Sequence, residues 1–123
     1  MCQDADDLSH PHRIELQYAS ICQQEREAAS HVIVGCQFTR EPADATPRYV
    51  RWANGLSPAQ LLLQAFRELT LIQPTWMFSR ALWTALGGYD ETPGSPEDMI
   101  FWFKHLAAGG RLHRIDQPLV VYR

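Results

Sequence analysis

Two acidic clusters hold the residue types that could do chemistry in this 123-residue chain. Asp4-Ala5-Asp6-Asp7 sets carboxylates at i and i+2 in what reads as an extended or turning segment. Such a pair can converge on one hard cation. Mg²⁺ and Mn²⁺ favour oxygen ligands and commonly keep one or two carboxylates together with substrate phosphates. The same run also reads as a solvated acidic stretch whose charge suits the N-terminal end of the next helix. Glu97-Asp98 is the second cluster. A carboxylate in a cleft can take the proton of an attacking hydroxyl, provided burial or a nearby negative charge lifts it above its usual pKa of about 3.9. Ser95-x-x-Asp98 equally fits a capping box, in which the acid returns a hydrogen bond to the cap residue's backbone. Both roles are compatible if only one of the two carboxylates caps.

Aromatic residues cluster in the second half: Trp76, Phe78, Trp83, Tyr89, Phe101, Trp102 and Phe103. Rings of this kind stack on sugars or bases, though most belong more simply to a core. Trp76 and Trp102 are the best placed to line a site. His10-x-His12 could contribute to a metal site, but no third ligand stands near it in sequence. No dinucleotide fingerprint, Walker loop or nucleophile elbow is present.

The elements that must position these groups follow from pattern and punctuation. Ser9 and Pro11 predict a helix start, with Ile14, Tyr18, Ile21 and Cys22 recurring at helical spacing to about Glu27. His31–Phe38 is β-rich and reads as a buried strand. Thr39–Asn54, with Pro42 and Pro47, reads as a long loop holding at most one helical turn around Tyr49–Trp52. Ser57-Pro58 opens a helix with an apolar stripe of Leu61, Leu62, Ala65, Phe66 and Leu69. Leu71–Phe78 reads as a strand, broken or at an edge because of Pro74. A short helix over Arg80–Leu86 is stopped by Gly87-Gly88. Another runs from Ser95-Pro96 to about Ala108 and is stopped by Gly109-Gly110. Arg111–Ile115 and Leu119–Tyr122 are closing strands. The order is a mixed α/β pattern without a leading βαβ unit.

Composition narrows the function classes. Hydrophobic residues are 46% and charged residues 20%, enough apolar material for one packed domain. The net charge is −3 with no lysine- or arginine-rich run. That argues against a partner bound through nucleic-acid phosphates. No apolar run approaches the roughly 20 residues of a membrane span. The acidic start has no apolar stretch, so a secretory signal is not expected and a cytoplasmic location is. Cys2, Cys22 and Cys36 are odd in number and lack CxxC spacing, which favours free thiols over disulfides or a zinc knuckle.

Taken in order, the pieces resemble a known family. Asp-x-Asp-Asp before a helix is followed by a VIVG strand, a loop and a helix. Then come PTWMFSRALWTALGGYDE, PEDMIFWFKHLAAGG and IDQPLVVYR. Together they are similar to the second half of a family-2 glycosyltransferase domain of the GT-A fold, most of all the β-1,3-N-acetylglucosaminyltransferase-like branch. The resemblance spans nearly the whole chain. Its most specific parts are Ser79-Arg80 with Gly87–Glu91, and Pro96-Glu97-Asp98 with Pro118–Arg123.

The resemblance implies a partial GT-A fold: a mixed sheet flanked by helices, without the Rossmann-like nucleotide-binding half. Residues 1–123 would be the metal and acceptor side of the domain. Asp4 and Asp6 resemble the two acids of the DxD motif, which hold Mn²⁺ or Mg²⁺ on the donor diphosphate, and Asp7 adjoins them. Asp98 resembles the general base of the family's ED motif, with Glu97 supporting it or touching the acceptor. Pro74-Thr75-Trp76 would fall beside the donor sugar, and Trp102 would also line the substrate site. The implied partners are a nucleotide-sugar, with a UDP-sugar such as UDP-N-acetylglucosamine first, and a hydroxyl acceptor. The implied reaction is metal-dependent inverting transfer. Because family members place about 90 further residues before DxD, this chain is expected to be a truncated form that transfers little sugar alone. The alternatives are a non-catalytic binding or regulatory fragment keeping the acceptor-side scaffold, and a Mg²⁺-dependent phosphoryl-transfer module. The latter would lack its phosphate-cradling glycine loop. The central expectation is geometric: the two acidic clusters must close around one centre, with Asp6 and Asp98 sharing a cleft.

Overall fold

The computed structural model describes every residue except Cys2. It shows a small α/β fold with a three-stranded mixed sheet. The strands are β1 (Leu8–Ser9), β2 (Val32–Arg40) and β3 (Arg111–Tyr122), in the order β1-β3-β2. β3 runs parallel to β2 and antiparallel to β1. The helices are α1 (Arg13–Glu27), α2 (Pro47–Gly55), α3 (Pro58–Leu63), α4 (Arg80–Leu86) and α5 (Glu97–Ala107), and a single 3-10 turn spans Gln73–Thr75. Among the described residues, no helix is long and apolar enough to cross a membrane.

β2 lies at one side of the sheet yet is its most buried strand. Val32 through Cys36 and Phe38 are buried, as expected of a strand covered on both faces. The two closing strands expected from sequence are one strand. Pro118 lacks an N–H, and the β2–β3 register slips between Cys36 and Phe38, so Asp116-Gln117-Pro118 form an irregularity within β3 rather than a break. On its other side β2 meets not a strand but a single antiparallel bridge, Val34 to Met77. The expected strand at 71–78 is therefore corrected to the 3-10 turn and that one bridge. Pro74 has no donor to give, and the carbonyls of Pro74 and Thr75 are taken by side chains of α1.

The presumed inner face of α1 is also corrected. Ile14 and Tyr18 are exposed, while Arg13, Gln17 and Ile21 are buried. Ser9 does not cap this helix. It lies in β1, accepts from Arg13 Nη1 and donates to Gln3 Oε1. The expected loop at 39–54 holds a nine-residue helix, α2, because tertiary bonds reward one. Asn54 pairs with both the N–H and the carbonyl of Phe38, and the Arg114 guanidinium donates to the Ala53 and Leu56 carbonyls at the helix end.

α3 starts as the sequence predicts, with a Ser57–Gln60 capping box. It stops at Leu63, so only Leu61, Ala65 and Leu69 of its stripe are buried, while Leu62 and Phe66 face solvent. α4 is capped by Ser79, whose hydroxyl accepts from Leu82 N–H, and ends at Gly87 with φ 77°. α5 is held at its C-terminal end by His105, which lies buried beneath Gly110. Nε2 of His105 bonds to the Arg111 carbonyl at 2.8 Å. A carbonyl only accepts, so Nε2 carries the proton. Nδ1 is left buried without a partner among the described residues.

Two predictions follow from this anchor. A Cβ at Gly110 would run into the His105 ring, so Gly110→Ala should lower stability by about 2 kcal/mol in urea unfolding. Burial, above the other influences, also holds both His105 and His113 below the ordinary imidazole value of 6.5. Both rings take up protons more readily when unfolded. Their contribution to stability is therefore complete above pH 6.5 and declines as the pH falls toward their lowered folded values. An NMR titration should show the His105 ring resonance still neutral where a free histidine is half-protonated, with the unfolding midpoint falling between about pH 7.5 and about pH 5.5.

Candidate functional site

The residues around the 3-10 turn build a cleft of about 480 Å³. Its floor is Leu69, Ile72, Gln73 and Pro74. Asp4 enters from the N-terminal segment, and Glu97 and Asp98 from the first turn of α5. Tyr49 of α2, Glu68 and Tyr122 complete the wall. Asp4 and Asp98, more than ninety residues apart in the chain, thus face the same space. Pro74, of the expected donor-side trio, is part of it.

Each acid is placed by a distinct local cause. The segment from Asp4 to Asp7 is turned by a bond from Asp7 N–H to the Asp4 carbonyl at 3.2 Å. Gln3 Nε2 donates to the Asp7 carbonyl. Asp7 itself is buried, and its Oδ1 accepts from the Arg123 N–H at 3.0 Å, which ties the segment to the end of β3. Its Oδ2 is buried with no hydrogen-bond partner among the described residues. Asp7 does not start a helix, since α1 begins six residues later at Arg13. Asp6 is exposed and is not part of the cleft lining, so the expected sharing of one cleft by Asp6 and Asp98 is corrected: it is Asp4 that lines the space with Asp98.

Asp98 is half-buried and Glu97 exposed. The capping box open to Asp98 does not form: Pro96 is the cap residue, and the Ser95 hydroxyl donates instead to the Asp90 carbonyl. Asp98 Oδ1 accepts from the adjacent Met99 N–H at 2.8 Å. That bond ties the carboxylate to the first turn of α5. Its Oδ2 has no such tie.

The floor is fixed from below by α1. Arg13 Nη2 donates to the Pro74 carbonyl at 2.6 Å, and Arg13 Nε to Gln17 Oε1 at 2.8 Å. Gln17 Nε2 then reaches the Thr75 and Val34 carbonyls at 2.7 and 3.0 Å. On the wall, the Tyr49 hydroxyl donates to the Leu69 carbonyl at 2.6 Å. Burial first, then the Glu68 carboxylate, raise the Tyr49 phenol well above its ordinary value, so it serves as a fixed donor and not a base. Arg40 sits over the Tyr122 ring, 4.2 Å from its centroid, and holds that ring in place.

The other expected substrate residues lie elsewhere. Thr75 is fully buried, its hydroxyl donating to the Ile72 carbonyl. Trp76 and Trp102 have no exposed surface, stack on each other with centroids 5.5 Å apart, and donate their indole N–H groups to the Leu71 and Ala65 carbonyls. They touch nothing that could enter the cleft, and their role is to pack α5 against the 3-10 turn. Tyr49, Glu68, Gln73 and Tyr122 were not singled out by sequence. Glu68 and Gln73 reach the cleft only because the chain turns sharply between α3 and the 3-10 turn, a feature no periodicity announces. Cys36 is buried in β2 away from the cleft, and burial pushes its thiol up to about 11, leaving it protonated and inert.

The lining carries four carboxylates (Asp4, Glu68, Glu97 and Asp98) and no lysine, arginine or histidine. Such a cleft repels a bare anion and favours a cation or a neutral polar molecule. Among the described residues, no group of three or more His, Cys, Asp or Glu side chains is placed to hold a metal ion. The cleft's carboxylates therefore do not make a protein cage for a metal ion; any ion there would have to bring most of its ligands with it. No protein-family model matches the chain, and no solved structure matches it.

The buried bonds beneath the floor make a direct prediction. Gln17→Leu strips the Thr75 carbonyl of its donor and Arg13 of an acceptor, and should cost about 3 kcal/mol in urea unfolding, far more than an exposed Gln23→Leu on the same helix.

Proposed function

We propose that this chain is the metal- and acceptor-side part of an inverting glycosyltransferase of the GT-A type, taking its sugar from a nucleotide-diphospho-sugar, with UDP-N-acetylglucosamine as the first candidate. The observation that carries this reading is the meeting of Asp4 with Glu97 and Asp98 in one cleft. The two acidic clusters could have served only as solvated or capping charges. Their shared cleft, and the failure of Asp98 to form the capping box, favour chemistry instead.

In this reading Asp98 accepts the proton of the acceptor hydroxyl through its free carboxylate oxygen as that hydroxyl attacks the anomeric carbon. The bond from that carbon to the diphosphate oxygen breaks in the same displacement, and the configuration inverts. Glu97, exposed at the mouth, contacts the acceptor. Asp4 would hold Mn²⁺ or Mg²⁺ bound to the donor phosphates. The ion supplies positive charge against the departing diphosphate. The four-carboxylate lining supports metal dependence on simple electrostatic grounds, since a diphosphate without its cation would be driven out. Gln73 and Pro74 shape the space beside the donor sugar.

The test is calorimetric titration of UDP-N-acetylglucosamine into the chain with and without Mn²⁺. Binding should be weak, in the range of about 1 mM, and should vanish without the metal. Asp4→Asn should weaken it at least about tenfold and Asp98→Asn leave it within about threefold, because the base acts on the acceptor and not on the donor. Binding that ignores both Mn²⁺ and Asp4 would remove the transferase reading.

A further inference from the structure

A second recess, about 420 Å³ in volume, lies on the other side of the Gln73–Tyr89 pair from the acidic cleft and is formed by Phe78, Ser79, Arg80, Trp83, Tyr89 and Met1. The two spaces are neighbours. Gln73, on the cleft floor, donates to the Tyr89 hydroxyl at 3.4 Å, and Tyr89 is a wall of the recess. The N-terminal segment borders both, through Asp4 on one side and Met1 on the other.

The indole of Trp83 is the feature that calls for explanation. It is 39% exposed, yet held on every inner side. Phe78 lies nearly parallel to it, 6° between planes and 6.4 Å between centroids. Tyr89 meets it edge-on at 4.9 Å, and Phe101 backs it at 5.7 Å. Gly88, at φ 74°, lies against the indole so closely that a Cβ there would come within 2.9 Å of the ring. Only glycine serves at that position, for its backbone as well as for the space. Exposed side chains are ordinarily free to reorient. This one is locked, so a ligand that stacks on it incurs little further loss of side-chain entropy. An electron-rich ring face attracts the polarised C–H face of a pyranose, and the exposed Arg80 beside it supplies hydrogen-bond donors for sugar hydroxyls.

We propose, resting on the glycosyl-transfer reading above, that Trp83 is the platform for a pyranose unit of an oligosaccharide acceptor, whose reacting end extends past Tyr89 into the acidic cleft. The acceptor class is thus a saccharide chain rather than a single hydroxyl-bearing small molecule or a protein side chain.

Labelling the chain with 5-fluorotryptophan separates its four indoles by ¹⁹F NMR, and Trp83→Phe identifies the Trp83 signal. The probes are the β-linked trisaccharides of N-acetylglucosamine and of glucose, and the α-linked trisaccharide of glucose. At least one should move the Trp83 signal at concentrations up to about 10 mM while the buried Trp76 and Trp102 signals stay fixed. Trp83→Leu, which keeps apolar volume but no ring face, should weaken that binding at least about tenfold. Trp83→Phe should weaken it less, which guards against a folding defect in the leucine variant. No movement with any trisaccharide, or unchanged affinity in Trp83→Leu, overturns the platform. Saccharide binding without Mn²⁺-dependent donor binding would leave the platform standing and remove the transferase reading. Donor binding with a silent Trp83 would do the reverse.

Discussion

Arg13 and Gln17 lie on the inner face of α1 with no exposed surface, and the candidate site depends on what they hold. The 71–77 stretch approaches β2 but pairs with it at only one point. Its remaining carbonyls are turned away from β2 into a space where water cannot serve them. A buried acceptor left alone is costly, and two long polar side chains from one helix remove that cost by donating to Pro74, Thr75 and Val34. The helix is thereby fixed to the turn and to β2 at once. Because Arg13 also donates to Ser9, the same pair steadies the N-terminal segment that carries Asp4. A polar stripe does here what a leucine stripe does in most amphipathic helices.

On the opposite side of the turn, the aromatic cluster has a similar task by other means. Trp76 and Trp102 stack at the centre, and each sends its indole N–H to a carbonyl of the 65–71 segment. These contacts fix α5 by its middle, while His105 fixes its C-terminal end against the start of β3. The first turn of α5 is therefore rigidly placed, and with it Glu97 and Asp98. The acids of the cleft come from flanking segments with little packing of their own, each referred to the same core through one or two buried bonds. Asp7 does this for the N-terminal acids by taking the backbone N–H of Arg123, the residue that follows β3.

Some of this was legible in the chain itself. Ser57 and Pro58, and the glycine pairs at 87–88 and 109–110, marked helix ends that the structure reproduces, because capping and helix termination are decided within a few residues. Val32–Cys36 announced a buried strand by composition alone. Other readings failed where local pattern and tertiary demand diverged. Ile14 and Tyr18 have the spacing of a core face, yet they are exposed, since the interior beneath α1 is lined with carbonyls and calls for donors. Residues 47–55 have poor helical pattern but form α2, because Asn54 and Arg114 supply bonds from sixteen and more residues away. Trp102 follows Asp98 by four residues, and Trp76 ends the Pro74–Trp76 stretch that the resemblance sets beside the donor sugar, while burial gives both rings to the core.

What the sequence determined by itself was the inventory: a mixed α/β order, the helix ends, and two acidic clusters whose residue types suit cation binding and proton transfer. Those are properties of short stretches and of side-chain chemistry. Only the tertiary structure decided that Asp4, and not Asp6, faces Asp98, that Asp98 is released from its capping box, and that Trp83 is the exposed ring of its cluster. Each of these turns on the packing of segments remote in the chain, and no short-range pattern encodes which of several chemically equivalent neighbours ends up facing a given space.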